Sequence, residues 1–131
     1  MRTVRHLLEA KAPEIFAVRP DAPVLDAVRQ MAEKHVGALL VMDAGQLVGI
    51  ISERDYARKV VLQGRSSSDT PVRDIMTSHL ITVGPTDTTD HCMQVVTESR
   101  IRHLPVVEKA GLIGMIDITD VCRALLDAPG G

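Results

Sequence analysis

The sequence predicts an α/β (α+β) fold in which one small unit occurs twice, with small sheets flanked by helices. Identical residues recur 65 positions apart, apolar runs of strand length alternate with helical patterns, and one polar Gly/Ser-rich stretch lies between the two halves. A chain of 131 residues can form one compact module, but each half is too small to cover its own sheet. We therefore expect the halves to pack about a pseudo-two-fold axis.

The first elements are predicted from apolar spacing and from Pro and Gly. Residues Val4 to Leu8 have helical spacing, and Ala12-Pro13 is expected to end this short helix. A short strand is predicted from Ile15 to Val18. Asp21-Ala22-Pro23 predicts the start of the next helix, with Asp21 near the cap and Pro23 in the first turn, and Gly37 is expected to end it.

A hairpin and a helix complete the first half. The continuous apolar run from Ala38 to Met42 predicts a strand covered on both faces, Asp43-Ala44-Gly45 a tight turn, and Gln46 to Ile51 the return strand. A helix is predicted from about Glu53 to Leu62. The polar residues 63–69 form the natural connection to the second half.

The second half repeats this pattern, starting with Thr70-Pro71 and with Val72 to Met76, which match Val4 to Leu8. From Val18 and Val83 onward the 65-residue separation holds without a gap, and the identical pairs are Pro20/Pro85, Glu33/Glu98, Leu39/Leu104, Val41/Val106, Leu47/Leu112, Gly49/Gly114, Ile51/Ile116, Asp55/Asp120 and Arg58/Arg123. This indicates an internal duplication. We assign repeat 1 to residues 1–64, a linker to 65–70, repeat 2 to 71–127 and a tail to 128–131, with both repeats in one globular module.

Composition disfavours several classes of function. Aromatic residues make up 2% of the chain and its net charge is −2, whereas proteins that bind single-stranded nucleic acid use stacking aromatics in a basic groove. We expect no nucleic-acid partner, and an aliphatic core. The histidines and cysteines have no metal-ligand spacing, so no metal site is predicted.

Cellular location and cysteine state are inferred from the same composition. No apolar run approaches the roughly 20 residues of a membrane span, and residues 1–12 do not resemble a secretory signal. We expect a cytoplasmic protein with no membrane partner. Cys92 and Cys122 lie in apolar helical patterns without CxxC spacing and are predicted to be buried free thiols.

Polar residues follow the last strand of each half at the entry to a helix. In the first half these are Ser52 and Asp55, and in the second Asp117 and Asp120. A carboxylate can accept two hydrogen bonds from a diol, and a helix N-terminus adds backbone donors for an anion. An aspartate or serine at such a position is also explained by helix capping alone, but recurrence in one register favours ligand binding.

These residues resemble those of the stand-alone CBS-domain pairs (cystathionine-β-synthase type), over nearly the whole chain from Val4 to Leu126. The resemblance rests on the G-h-h-[ST]-x-x-D ending at Gly49 to Asp55, the hairpin before it, and the Arg-His-Leu-Pro-Val stretch at 102–106. It implies a non-catalytic regulatory module that senses cellular energy by binding an adenosine-containing ligand (AMP, ADP, ATP, NAD or S-adenosylmethionine) without a metal. It also implies a homodimer and an effector protein that the sequence does not identify.

The resemblance further implies two ligand clefts between the repeats. In one, Ser52 and Asp55 share a ligand with Arg102, His103 and the strand 81–83. In the other, Asp120 and Asp117 lie with Gly37, Ala38 and the strand 15–17. The complete set of expected ligand-binding residues is Ser52, Asp55, Arg54, Arg102, His103, Ile81, Thr82, Val83, Pro105, Asp120, Thr119, Ile15, Phe16 and Ala38.

The two clefts are expected to differ. Asp117 stands where the family has a hydroxyl, and Gly37-Ala38 stands where the second repeat has Arg102-His103. Because phosphate is best bound by arginine and repelled by a carboxylate, the Asp55 cleft is predicted to be the stronger site for charged nucleotides. The Asp120 cleft is predicted to lack phosphate-binding cations.

Other functions stay open at this point. The chain could be a ligand-free protein-interaction or dimerisation module, or a sensor of S-adenosylmethionine. Two apolar helix faces, Val24/Val28/Met31 and Val60/Val61, are candidates for a dimer interface. A nucleotide hydrolase is disfavoured, because the sequence has no nucleophile–base pair, Walker-type loop or paired catalytic carboxylates.

Overall fold

The computed structural model describes residues 2–11 and 14–126. Ala12-Pro13 and the tail at 128–131, for which we made predictions, lie outside the described residues. The chain divides into two compact units, unit 1 (Met1–Ile15 with Ile81–Gly131) and unit 2 (Phe16–Leu80). Each is a small sheet with helices, so the predicted mixed α/β fold is confirmed.

Unit 2 contains most of the first repeat. Its elements are strand β1 (Ala17–Val18), helix α2 (Val24–Lys34), strands β2 (Ala38–Asp43) and β3 (Gln46–Ser52), and helix α3 (Glu53–Tyr56), which continues into a π-helical turn (Ala57–Val61). A 3₁₀ helix at Val72–Asp74 completes the unit. The strand order is β1-β2-β3, with β1 parallel and β3 antiparallel to β2.

Unit 1 contains most of the second repeat, preceded by the first helix of the chain. Its elements are helix α1 (Val4–Glu9), helix α4 (Thr89–Ser99), the antiparallel strands β4 (His103–Glu108) and β5 (Gly111–Asp117), and helix α5 (Ile118–Leu126). The hairpins of the two units have the same register, since Leu39 pairs with Ile51 and Leu104 with Ile116.

The compact units and the sequence repeats divide the chain at different residues. Helix α1 opens the first repeat but bonds within unit 1, where Val4 N donates to Asp87 O at 2.9 Å and Thr89 N to Arg2 O at 3.1 Å. The matching segment of the second repeat bonds within unit 2 in the same way. There Val72 N donates to Ala22 O, and Val24 N donates to Thr70 O, both at 2.8 Å. Each unit therefore contains a short helical segment that the sequence assigns to the other repeat.

Each unit has an aliphatic core between its hairpin and its helices. In unit 2 the fully buried side chains include Leu39, Val41 and Ile51. The equivalent residues of unit 1, Leu104, Val106 and Ile116, are also buried. Strands covered on both faces are expected to be apolar without alternation, as predicted for residues 38–42.

The helices end earlier than Gly37 predicts. Helix α2 stops at Lys34, and His35 takes the left-handed conformation with φ 56° while its N–H donates to Met31 O. Arg100 does the same after α4, with φ 55° and its N–H on Val96 O. The prediction that Gly37 ends the helix is therefore wrong, because a non-glycine residue supplies the left-handed cap.

Two further elements differ from the prediction. The helix predicted from Glu53 to Leu62 has only one α-helical turn before the π-helical one. The strand predicted at Ile81–Val83 is reduced to a parallel bridge between Val83 and Val106. After this bridge, Gly84 N donates to the Asp87 carboxylate at 2.7 Å.

Two interpretations of apolar residues need correction. Val24, Met31 and Val60 are buried in the core of unit 2, so they do not offer the dimer face that the sequence suggests. Of these helices, the large apolar side chains exposed in the structure are Val61 and Leu62, at 56% and 75%.

The two cysteines are not alike. Cys92 is buried, and burial with a smaller contribution from the Asp87 carboxylate raises the pKa of its thiol from 9.0 to about 11. Cys122 is exposed, so its predicted burial is wrong. Val121 and Ala124 face the core from α5, and Cys122 lies off that face of the helix.

Gly49 on β3 is expected to tolerate no side chain. A Cβ there would lie 2.7 Å from Met76 Sδ and 3.0 Å from Thr77 O, and the backbone oxygen cannot turn away as a side chain can. Gly49→Ala should lower the free energy of unfolding by about 1–3 kcal/mol through overpacking, measured by urea denaturation. Gly84→Ala is the control, since its Cβ would meet nothing closer than 3.7 Å. Equal stability of the two variants would contradict this packing.

Candidate functional site

The junction between β3 and α3 fixes the first polar pair. Asp55 N donates to Ser52 Oγ at 3.2 Å, while Ser52 N and Ser52 Oγ each donate to Asp55 Oδ2 at 3.0 Å. This is a reciprocal capping box in which each residue satisfies the backbone N–H of the other. Ser52 is thus an N-cap, the simpler of the two roles that the sequence allowed, and it holds the Asp55 carboxylate in place.

The other oxygen of Asp55 is also bonded. Thr77 Oγ1 donates to Asp55 Oδ1 at 3.2 Å, and Lys59 Nζ lies 2.9 Å from the same oxygen. Lys59 Nζ also donates to Ile75 O at 2.9 Å. An ionised carboxylate has about four acceptor positions, so donors of the chain itself satisfy Asp55, whose side chain is only 10% exposed.

The second junction, between β5 and α5, has the same arrangement with different chemistry. Asp120 N donates to Asp117 Oδ1 and Asp117 N donates to Asp120 Oδ2, both at 2.9 Å. Asp117 therefore caps its helix as Ser52 does, because carboxylate and hydroxyl oxygens both accept an N-terminal N–H. This explains how the chain can replace the hydroxyl with an aspartate and keep the junction.

A lysine from the N-terminal segment contacts the second junction. Lys11 Nζ lies 2.8 Å from Asp120 Oδ2 and donates to Met115 O at 3.0 Å. Each motif aspartate is therefore paired with a lysine that also bonds a backbone carbonyl. Lys11 and Lys59 do not occupy equivalent positions in the repeats, and the sequence analysis assigned neither to the site.

Unit 1 also contains a cleft of about 230 Å³ beside Lys11. Its apolar wall is formed by Leu8 of helix α1, by Ile113, Gly114 and Met115 of β5, and by Ile15. Its charged residues are Arg5, Glu9, Lys11 and Glu14. The sequence analysis predicted no phosphate-binding cations near Asp120. In the structure Lys11 forms an ion pair with Asp120, and Arg5 lines the same cleft as Lys11.

The remaining predicted site residues are distributed over both units. In unit 2, Ala38 is buried and lies opposite Ser52 across the hairpin, and Arg54 is exposed on α3. Phe16 precedes β1, where its carbonyl accepts from Leu40 N at 3.1 Å.

In unit 1, the basic pair lies at the end of the hairpin beside an acidic residue. His103 pairs with Asp117 across β4 and β5, and Arg102 O accepts from Ile118 N at 2.9 Å. Arg102, Thr82, Thr119 and Ile15 are exposed, His103 and Ile81 are half-buried, and Val83 and Pro105 are buried. The structure thus brings Arg102 and His103 close to Asp117, a neighbour that the sequence analysis did not consider.

The described residues contain neither a metal-binding cluster nor a membrane-spanning helix. Across residues 2–11 and 14–126, no group of three or more His, Cys, Asp or Glu side chains is placed to hold a metal ion. In the same part of the chain, no helix has the length and apolarity required to cross a membrane.

Comparison with known proteins gives matches over most of the chain. The model of the CBS domain family matches residues 4–62 and 72–127, one match in each repeat. The mitochondrial CBS domain-containing protein CBSX3 of Arabidopsis thaliana is 50% identical over 111 residues, which cover 81% of this chain and 54% of that protein. The chain thus spans about half the length of this relative.

Two solved structures extend the comparison. A protein with CBS domains from Burkholderia ambifaria MC40-6 has a TM-score of 0.93 and 46% identity, covering 98% of this chain and 97% of that one. The CBS domain pair of protein MJ0100, in complex with 5′-methylthioadenosine and S-adenosyl-L-methionine, has a TM-score of 0.83 and 25% identity. This match covers 95% of this chain and 96% of the MJ0100 chain.

Proposed function

The chain belongs to the CBS domain family as a tandem pair of CBS domains, a regulatory module, and on this basis we propose that it binds an adenosine-containing ligand and has no catalytic activity of its own. The ligand is an adenine nucleotide (AMP, ADP, ATP or NAD), with S-adenosylmethionine as the alternative. Binding changes the conformation or the pairing of modules, and an effector protein responds to that change.

The observation that carries this proposal is the equivalence of Asp55 and Asp120. Both are carboxylates fixed at the first turn of a helix by reciprocal capping bonds. A fixed carboxylate suits the two hydroxyls of a ribose, since charge-assisted hydrogen bonds are strong. The complex of a related CBS domain pair with two adenosyl compounds supports the same ligand class.

Basic residues would contribute the remaining contacts. We propose that Arg102, His103 and Arg54 bind phosphate, and that Ile81, Val83, Pro105 and the other predicted side chains contact the adenine and ribose. Mostly apolar pockets with a few polar anchors are usual for such ligands. Ser52 and Thr119 would contact the ligand at the N-termini of α3 and α5, where backbone N–H groups favour an anion.

Ligand binding is tested by thermal shift with AMP, ADP, ATP, NAD and S-adenosylmethionine. A ligand at about 100 times its Kd stabilises the native state by about 2.7 kcal/mol, so a binding compound should raise the melting temperature by several degrees. The matched control is 2′,3′-dideoxy-ATP, which lacks the diol and should give little shift. No shift with any adenosyl compound would contradict the proposal, and an equal shift with the dideoxy compound would contradict the role of the aspartates.

The second candidate function is a ligand-free interaction module. It is favoured by one observation, the satisfaction of Asp55 by four donors from Ser52, Thr77 and Lys59.

Whether or not the chain binds a ligand, we propose that it forms a homodimer, with exposed Val61 and Leu62 as candidate contacts. Light scattering of wild type and Leu62→Asp tests this, because a charge at such a contact should dissociate the dimer.

A further inference from the structure

The outer edge of strand β3 is paired with another segment of unit 2. Strand β3 bonds to β2 on one side. On the other side, Ile50 N donates to Thr77 O at 2.9 Å and Thr77 N donates to Ile50 O at 2.8 Å. The segment at Thr77 thus completes a short antiparallel bridge along the edge of the hairpin.

The equivalent edge of β5 in unit 1 has no such bridge. Met115 matches Ile50 in the 65-residue register, and it lies opposite Pro105, which has no N–H to donate. Because the two hairpins share one register, the N–H and C=O of Met115 point away from β4. Within the part of the chain that the structure describes, Met115 N has no acceptor outside the hairpin, and Met115 O accepts from Lys11 Nζ at 3.0 Å.

Helix α1 explains why the chain itself leaves this edge unpaired. In the register that aligns residues 72–76 with 4–8, Glu9 corresponds to Thr77. Thr77 pairs with its strand through two backbone bonds, whereas Glu9 is the last residue of α1 and its backbone is helical. The segment that could pair with the edge of β5 is therefore part of a helix, and a single side chain, that of Lys11, contacts the edge instead.

The cleft of unit 1 lies along this edge, since three of its lining residues are Ile113, Gly114 and Met115 of β5. Leu8 and Ile15 add apolar side chains to the lining. The charged lining residues are two basic and two acidic ones, namely Arg5, Lys11, Glu9 and Glu14. A backbone paired with this edge would therefore place its side chains beside aliphatic groups, in a cleft whose lining has no net charge.

We propose that the outer edge of β5 is a docking site for an extended, uncharged segment of a partner protein, which pairs with Met115 as Thr77 pairs with Ile50. Unpaired edge strands accept added strands, whose main-chain bonds provide affinity and whose alternate side chains provide specificity. A carbonyl of the segment accepts from Met115 N, and an N–H donates to Met115 O in place of Lys11.

A second copy of the chain is a poorer occupant, because its own pairing segment, at Thr77, is already bonded within unit 2. The cleft has no net charge in its lining to select a charged partner, so recognition depends on the backbone and on aliphatic contacts. The inference goes beyond the proposed function and requires no adenosyl ligand.

Hydrogen exchange of the free protein, followed by NMR, tests whether the edge is open. Met115 N–H should exchange at least about tenfold faster than Ile50 N–H, because a bonded amide must leave its acceptor before it exchanges. Equal protection of the two amides would overturn the inference, since the edge would then be paired already. Shifts of the Met115 signal that depend on protein concentration would assign the edge to a second copy and would overturn it too.

Docking is tested by NMR titration of the full chain with the acetylated and amidated pentapeptide Thr-Val-Thr-Val-Thr. The peptide should shift the amide signals of Ile113 and Met115 and slow the exchange of Met115 N–H. The control is the same peptide with N-methyl groups on its three central residues, which lacks the backbone donors and should not bind. No shift with the parent peptide up to its solubility limit, or equal shifts with the methylated peptide, overturns the inference.

Two variants assign the peptide to this edge. Lys11→Met frees Met115 O and should tighten the peptide about fivefold, the scale of a partly exposed ion pair. Lys109→Met, which changes an exposed lysine elsewhere in unit 1, is the matched control and should leave the affinity unchanged. Met115→Pro removes the outward N–H, a change that edge strands tolerate, and should abolish binding.

Circular dichroism confirms that each variant is folded. Unchanged or weaker binding to Lys11→Met overturns the inference, as does unchanged binding to folded Met115→Pro. If Met115→Pro does not fold, the comparison of the parent and methylated peptides decides the question on the wild-type protein.

Discussion

Replacing Leu39 with alanine is expected to lower the free energy of unfolding by about 2–5 kcal/mol, and replacing Leu104 should cost the same. Both side chains are fully buried, at 0% and 1% exposure. They occupy equivalent central positions, opposite Ile51 in one hairpin and Ile116 in the other. Each truncation loses the transfer free energy of its methyl groups and leaves a cavity that the sheet cannot close.

The measurement is urea denaturation of each variant, with hydrogen exchange of both hairpins. Leu126→Ala is the control, because that leucine is 86% exposed and surface substitutions usually change stability by less than about 0.5 kcal/mol. Exchange should accelerate in unit 2 for Leu39→Ala and in unit 1 for Leu104→Ala. A loss below about 1 kcal/mol in either variant would show that the two cores are not equivalent.

This symmetry of the cores could be predicted from sequence because it depends on periodicity. The identity of Leu39 with Leu104 and of Ile51 with Ile116 at one separation predicts two equal hairpins, and strand length and turn residues determine their boundaries. The helix cap could not be placed this way. His35 takes the left-handed conformation at φ 56°, which is uncommon for a residue other than glycine, so Gly37 was the better guess from local preference.

The candidate site could be predicted only in part, and for a different reason. Ser52 and Asp55 have capping-box spacing, and Lys59 follows Asp55 by four residues, a spacing that predicts a helical ion pair. Thr77 and Lys11 reach the aspartates from short segments that pack in the unit formed by the other repeat. No local pattern encodes a contact of this kind, which depends on the tertiary arrangement.

Replacing Asp55 with alanine should lower the free energy of unfolding by about 3 kcal/mol without any ligand present. The substitution leaves Ser52 N, Thr77 Oγ1 and Lys59 Nζ without the acceptor that they share in the structure. The cost is large because Asp55 is buried, where an unpaired donor or charge cannot easily recover its bond with water. Thermal and urea denaturation of the free protein measure the effect.

Two other aspartates provide graded controls. Asp120→Ala removes bonds to Asp117 N and Lys11 Nζ and should cost less than Asp55→Ala. Asp21→Ala removes only an exposed pair with Arg19, in which Asp21 is 61% exposed, and should cost at most about 1 kcal/mol. If Asp55→Ala is no more destabilising than Asp21→Ala, the bonding described for Asp55 is contradicted.

Asp55→Asn separates the charge of this residue from its size. The amide fills the same space but turns one acceptor oxygen into a donor, which must face either Ser52 or the Thr77/Lys59 pair. We therefore expect Asn to recover only a minor part of the loss seen with Ala.

The same bonds bear on ligand binding, because a ribose can reach Asp55 only by displacing two of these donors. Stability and affinity at Asp55 are then opposed, so a Lys59→Met variant should be less stable than wild type and bind ribose more tightly.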